Sequence, residues 1–365
     1  MTTTAPPANA EQNRTADSVI PSIAAVIVNY RTPELTEKCL AALTGERELV
    51  PRLEAVVVDG GSGDGSAERL SDHVAADEYR DWASVLPLPI NGGFAWANNE
   101  AISRLLQQPE PPKFVYVLNP DTQIERGAVL ALATYLAAHP RVGAVGSQLL
   151  EPDGSLTGSA FSFPTLRGEF SRGARTGVVD RILNVPPISI DASDAREVDW
   201  ATGASVMLRA DALREVGLFD EGFFLYHEDI ELMWRLRKAG WHVAFEPRSR
   251  VRHVGGAATG VHGRTSPESI QPRRPRYWYR SRARLFALNR GRAVAMLAYA
   301  GWFAGYLIWA LRRGTGLGRG AKPFSHQIRD HARYALPRRS DRIPAVRPWN
   351  GKLNVDPAWM EWNSL

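Results

Sequence analysis

One cysteine in 365 residues, Cys39, excludes an intramolecular disulfide and any cysteine-cluster metal site. Placed inside a helical pattern, it reads as packing. No GxGxxG follows the first strand-like run and no Walker lysine appears, which removes the dinucleotide and P-loop fingerprints. Residues 1–20 lack an apolar core and early basic residues, so they read as a disordered, solvated tail with no secretory signal, on a chain expected to stay inside the cell. Acids are scarce in one long stretch: residues 272–350 hold 18 Lys/Arg against only Asp330 and Asp341, a balance of +16 that leaves −11 for the rest of a chain whose net charge is +5.

The remainder is an ordinary globular composition, 44% hydrophobic and 23% charged. A basic segment of this kind seeks an anionic surface. What it encloses favours lipid over nucleic acid: residues 293–311 (AVAMLAYAGWFAGYLIWAL) carry no charge and as a helix would be about 28 Å long, near the thickness of a hydrocarbon core. Arg290, Arg292, Arg312 and Arg313 flank the run and Tyr277, Trp278 and Tyr279 precede it. Its Ala, Gly and Tyr content leaves three readings open: a weak membrane span, an interfacial or re-entrant helix, or a helix docked on the domain.

From residue 23 short β-branched runs alternate with helical patterns, the signature of a mostly parallel sheet covered by helices, an α/β fold. Strands are expected at 23–30, 53–60, 84–89, 114–121 and 142–150, with helices at 33–43, from 63, at 94–107 and at 125–139. Residues 165–197 show no period and read as an irregular insertion. Regularity returns over 198–209, 211–216 and 241–247.

Ligands of open α/β sheets bind beyond the carboxyl ends of strands. Here those positions read Asn29-Tyr30, VDGGSGDGS (58–66), NGG (91–93) and LNPDT (118–122). Asp59 can accept hydrogen bonds from a base or ribose while Gly60–Gly65 admits close backbone approach, or the same loop is a glycine-rich turn capping the next helix. Asn119 and Asp121, two residues apart across Pro120, offer oxygens suited to Mg²⁺ or Mn²⁺, or form an Asx turn. His253, before Gly255-Gly256, is a metal or diphosphate ligand or a packing residue. In FLYHEDIELMWRLRKAGW (224–241), Glu231 faces Arg235 at i,i+4 spacing and is expected to be structural. Glu228 and Asp229 fall in the first turn, as capping charges or as a base held near a buried mouth.

Taken in order, VIVNYRTPELTEKCLAAL, VVVDGGSGDGS, NGGFAWANN, YVLNPDT, WATGASVMLR, GFFLYHEDIELMWRLRKAGW and HVGG resemble the family 2 inverting glycosyltransferases, most closely the rhamnosyltransferase-like branch of bacterial polysaccharide synthesis. The likeness covers roughly residues 23–256. It implies a GT-A fold over 21–260, followed by a basic, aromatic, helical membrane-associating segment over 261–313 and a loosely ordered basic tail over 314–365. It further implies that Tyr30 and Asp59 hold the nucleoside with Asn98 nearby, that Asn119 and Asp121 occupy the family's Asp-x-Asp motif, and that Asp121 binds a divalent cation with help from His253. Asp229 would be the general base and Glu228 would orient the acceptor or the helix start. Three positions depart from the pattern: Asn119 replaces the first acid, Gly60-Gly61 follows Asp59 where Asn-x is usual, and Ala97-Asn98-Asn99 lacks an arginine common there.

The implied reaction is a single displacement moving a sugar, rhamnose among the candidates, from a nucleotide-diphosphate donor to a glycan or polyprenyl-diphosphate-linked acceptor at the cytoplasmic face of the membrane. Two other classes share parts of the pattern. A sugar nucleotidyltransferase would open with a glycine-rich, Arg-bearing loop after the first strand, which VNYRTPEL lacks. A non-catalytic membrane-attached carbohydrate-binding protein would not need Asp121 together with Glu228 and Asp229.

Overall fold

Residues 20–187, 189–190, 193–255, 273–315 and 324–351 are described in the computed structural model. The expected N-terminal tail, save residue 20, and the segments 256–272, 316–323 and 352–365 lie outside them. Along the chain, β1 (Ile23–Asn29), α1 (Pro33–Glu46), β2 (Leu53–Asp59), α2 (Ser66–Val74), β3 (Ala83–Pro87) and α3 (Gly93–Leu106) alternate as the pattern predicts. Next come β4 (Phe114–Leu118), β5 (Thr122–Ile124), α4 (Ala128–Ala138) and β6 (Val142–Leu150). Then follow β7 (Ala160–Phe161), α5 (Leu166–Ala174), α6 (Gly177–Ile182), β8 (Arg196–Glu197), β9 (Trp200–Ala201), β10 (Ser205–Arg209) and α7 (Ala210–Val216). The last are α8 (Glu228–Lys238), β11 (His242–His253), α9 (Arg276–Gly314) and α10 (Gln327–Tyr334).

The main sheet runs β3-β2-β1-β4-β10-β6-β11-β5, with β8 also paired to β11; β7 and β9 form a small separate ribbon. Strands β3, β2, β1 and β4 are mutually parallel, β10 enters antiparallel between β4 and β6, and β11 returns parallel to β6. The continuous apolar strands are explained by burial on both faces. Ile23, Ala25 and Ile27 point into a layer with Leu40, Leu43, Val129 and Leu132 of α1 and α4. Ala24 and Val26 point into the layer of Trp96, Ile102, Leu213, Leu232 and Leu236 from α3, α7 and α8. Cys39 is buried in α1, and burial pushes its thiol up to about 12, so it is inert packing.

Two expectations change, for 165–197 and for the C-terminal tail, and one of the three open readings of 293–311 matches the structure. The stretch 165–197, expected to be irregular, carries α5 and α6. Its period is hidden because α5 buries small residues: a Cβ on Gly173 would collide with Trp302 O, and one on Gly305 with Phe170 O, so the α5 and α9 backbones meet directly. The run 293–311 is the second half of α9, bent away from the first half at Gly291 (φ 82°, ψ 163°). One side, through Ala295, Ala298, Trp302 and Gly305, is buried, while Leu297, Leu307 and Leu311 are exposed on the other. This is a docked helix with an open apolar side, although α9 is long and apolar enough to cross a membrane by length and composition.

Residues 324–351 of the supposedly loose tail are docked. Arg347 reaches Glu100 at 2.6 Å and Glu221 at 2.5 Å, Leu218 N–H donates to Arg347 O, and Ser103 Oγ donates to Trp349 O. Arg284, 2% exposed on its side chain, pairs with the fully buried Asp220 at 2.6 Å and also donates to Ile343 O. Part of the basic excess, Arg282, Arg284 and Arg347, therefore pairs with acids of the α/β domain. Charge counting saw the imbalance between the two regions but not that each is the other's partner.

Candidate active site

Parallel pairing brings the carboxyl ends of β1, β2 and β4 to one edge, with Asn29 beside Asp59 in register. The Asp59 carboxylate accepts from Asn29 Nδ2 at 2.8 Å, Ser62 N–H at 3.0 Å and Ser62 Oγ at 2.6 Å, so it fastens the glycine-rich loop to β1. Gly61 (φ 69°) is required there, since a side chain would collide with the Ile90 backbone. Gly60 and Tyr30 line the cleft above this edge, and the Arg31 guanidinium sits 5.2 Å over the Tyr30 ring. Asn98 is not among the residues that line the cleft: it is buried in α3 with Nδ2 donating to Phe94 O at 2.9 Å, while Gly93, Phe94 and Ala97 of the same helix line it.

The LNPDT turn is more than a strand end. Directly after it, Thr122 opens β5, whose antiparallel register sets Thr122 opposite His253 at the end of β11. That pairing puts His253 Nε2 at 3.2 Å from Asp121 Oδ1 and 3.4 Å from Asn119 Nδ2, with Val254 N–H donating to Asp121 O. Three residues expected to act on the donor thus converge. The strand that aligns them is too short to show a period in sequence.

On another wall stands the start of α8. The lead-in is pinned where Phe94 N–H donates to Phe224 O at 2.8 Å, an approach so close that Gly93 (φ 84°) admits no side chain. Tyr226 and His227 follow with φ of 70° and 72°, left-handed backbone that non-glycine residues adopt at a cost. This turn delivers His227, Glu228 and Asp229 to the cleft. Asp229 Oδ2 accepts from Gly203 N–H at 3.0 Å and Oδ1 from Ile230 N–H at 2.8 Å. Glu228 Oε2 is buried without a hydrogen-bond partner among the described residues.

Burial raises both carboxyls, and the Asp229 charge raises Glu228 further, well above the usual range. The amide donors offset burial at Asp229, so Glu228 is the more strongly raised of the pair. His227 is held well below its usual value by burial and then by the Arg282 charge, and is neutral. Glu231 is structural as expected, bound to Arg235 at 2.8 Å, while Arg235 also donates to Gly217 O and Leu218 O.

Sequence reasoning missed a third wall. Glu169 and Arg172 of α5 and Arg282 of α9 line the same cleft, with Glu169 bound to Arg172 at 2.6 Å and to Arg282 at 2.8 Å. Burial alone would raise the Glu169 carboxyl, but the Arg172 and Arg282 charges outweigh it and hold it far below the usual range. The i,i+3 spacing of Glu169 and Arg172 was visible in sequence, but nothing there sent Arg282 to them. The whole cleft, about 750 Å³, holds Tyr30, Asn119, Asp121, His253, Glu228 and Asp229 together.

Comparison with known proteins bears on family and fold. Residues 21–279 match the model of the family described as "Glycosyltransferase like family 2". The chain is 30% identical over 305 residues, 80% of its own length and 90% of the relative's, to the N-acetylglucosaminyl-diphospho-decaprenol L-rhamnosyltransferase of Mycobacterium tuberculosis. Among solved structures it is similar to GalNAc-T7 with UDP, GalNAc and Mn²⁺ (TM-score 0.55, 13% identity, 88% of this chain and 59% of that one). It is also similar to the mannosyltransferase PcManGT of Pyrobaculum calidifontis in complex with GDP-Man and Mn²⁺ (TM-score 0.51, 16% identity, 89% and 83% covered). The fold is the expected GT-A type, and the chain belongs to glycosyltransferase family 2.

Proposed function

We propose that this glycosyltransferase moves a sugar, L-rhamnose by analogy with the Mycobacterium tuberculosis relative, from a nucleoside-diphosphate donor to a hydroxyl of a lipid-diphosphate-linked saccharide, with inversion. The product would feed cell-surface polysaccharide. The observation that carries the reading is that Asp229, oriented by two backbone amides, shares one cleft with Asp121 and His253.

A divalent cation fits the second group. The His253 imidazole lies within hydrogen-bond reach of both the Asp121 carboxylate and the Asn119 amide. Among the described residues no cluster of three or more His, Cys, Asp or Glu exists, so most coordination positions would fall to phosphate oxygens and water. When bound, the ion would neutralise the diphosphate as it leaves.

On the acceptor side, Asp229 takes the proton of the attacking hydroxyl while its oxygen forms the new bond to the anomeric carbon. The bond from that carbon to the diphosphate oxygen breaks on the opposite face, and nucleoside diphosphate departs with the electron pair. Protonated Glu228 keeps the local charge to one carboxylate. The exposed leucines of α9, between arginines at either end, suit attachment to the cytoplasmic leaflet where a lipid-carried acceptor would be met.

The test is a panel of nucleotide sugars with Mn²⁺ or Mg²⁺ and a lipid-diphosphate saccharide, read as nucleoside-diphosphate release and the anomeric configuration of the product by NMR. Release with a single inverted product is expected. A retained configuration, or no release from any donor, rejects the reading.

A further inference from the structure

We propose that Arg172 and Arg282, on the α5–α9 wall of the cleft, bind the diphosphate of the acceptor's lipid carrier; this rests on the acceptor reading above. The wall has more positive charge than its own carboxylate can use. Glu169 is the acid between Arg172 and Arg282, and Arg274 stands close by, 4.0 Å over the Trp278 ring that Arg172 also faces at 5.3 Å. Two guanidiniums thus share one carboxylate, and a third lies against the same Trp278 ring. Burial and then the Arg172 charge depress Arg274 to about 9, the response of a cation crowded by others.

Arg172 is also incompletely used. Its Nη2 binds Glu169, but Nε and Nη1 are buried without a hydrogen-bond partner among the described residues. Donors stripped of water and left unpaired mark a place for an acceptor that the chain itself does not supply. A planar guanidinium fork is matched to phosphate oxygens. The diphosphate diester of a lipid-linked sugar carries two negative charges, which would offset the two cations in excess of Glu169. Neutral His227 adds no charge to the same wall.

Position agrees with chemistry. Arg172 and Arg282 line the cleft that also holds Asp229, so a saccharide whose hydroxyl lies at the base would extend its reducing-end diphosphate toward α5. Phe163, Pro164, Val185 and Pro186 line the same cleft, an apolar boundary suited to the first isoprene units. The donor diphosphate has its own place at Asp121 and His253, on the strand edge.

Farnesyl diphosphate serves as the probe, titrated calorimetrically into the full-length chain without metal, beside farnesol and inorganic pyrophosphate. UDP, GDP and dTDP are titrated separately with Mn²⁺. The wild-type chain is expected to bind farnesyl diphosphate at least about tenfold more tightly than either control. Arg172→Gln and Arg282→Gln should each lose about tenfold or more of that affinity while nucleotide affinity stays within about twofold.

Glu169→Gln, which removes the competing carboxylate, should tighten farnesyl diphosphate binding, and this variant decides the matter if the arginine variants melt early. Farnesol or pyrophosphate binding as tightly as farnesyl diphosphate, an equal loss of nucleotide affinity in the arginine variants, or unchanged binding in Glu169→Gln overturns the assignment. These titrations measure no transfer, so the donor panel above can fail while this subsite stands, and the reverse.

Discussion

Asp229 Oδ2 accepts the Gly203 N–H at 3.0 Å, tying the first turn of α8 to the turn between β9 and β10. An asparagine there keeps an acceptor for that amide but cannot take a proton. Asp229→Asn is therefore expected to fold and to bind donor within about twofold of the wild type, while kcat falls by about 10²- to 10⁴-fold. Because burial raises the Asp229 carboxyl above its ordinary value of 3.8, the acid limb of the kcat/KM profile should lie above that value. Full turnover by the variant would remove Asp229 from the reaction.

The donor group depends on the β5–β11 pairing that brings His253 to Asp121. Asp121→Ala should abolish the increase in nucleoside-diphosphate affinity that Mn²⁺ produces, and His253→Gln should reduce it by a smaller factor. Fluorescence titrations with and without the ion measure this. An unchanged increase in Asp121→Ala would place the cation elsewhere.

Glu228 makes stability depend on pH in a definite direction. Burial, then the Asp229 charge, raises its folded-state pKa well above 4.5, so the folded chain keeps a proton that the unfolded chain releases. Its contribution is harmless below the ordinary glutamate range and turns destabilising as pH rises through the raised value. Relative to the wild type, Glu228→Gln should gain most in Tm at alkaline pH, and the gain should fade toward pH 4.5. A gain that grows as pH falls would contradict the protonated state.

Arg347 lies between Glu100 and Glu221 with side-chain exposures of 5%, 0% and 8%. Arg347→Ala removes the cation shared by two buried acids and should cost about 3–5 kcal/mol in urea unfolding. Adding Glu100→Gln and Glu221→Gln should recover part of the loss. A cost below about 1 kcal/mol would mean that the 343–349 segment is dispensable to the fold.

Leu297, Leu307 and Leu311 form the open side of α9. Changing all three to glutamine should weaken cosedimentation with anionic vesicles by about tenfold or more, since each loses roughly 1.5–3 kcal/mol of burial when inserted, while leaving Tm nearly unchanged. Equal binding by the variant would leave attachment to the arginines alone.

The sequence by itself determined the sheet-and-helix alternation, the polar strand ends and the Glu231–Arg235 pair, because periodicity and i,i+4 spacing are local. It also placed Asp121, His253, Glu228 and Asp229 as candidates, through where each falls relative to a strand or helix end. Only the tertiary structure decided who meets whom. Asp121 meets His253 through a three-residue strand, and Asn98 turns inward on α3. Glu169 finds Arg282 because Gly173 and Gly305 let two helices touch. The basic C-terminal region looked like a partner-seeking surface because charge counts carry no distances; folded, three of its arginines, Arg282, Arg284 and Arg347, face Glu169, Asp220, Glu100 and Glu221, and the Arg172 donors left over are what point to a ligand.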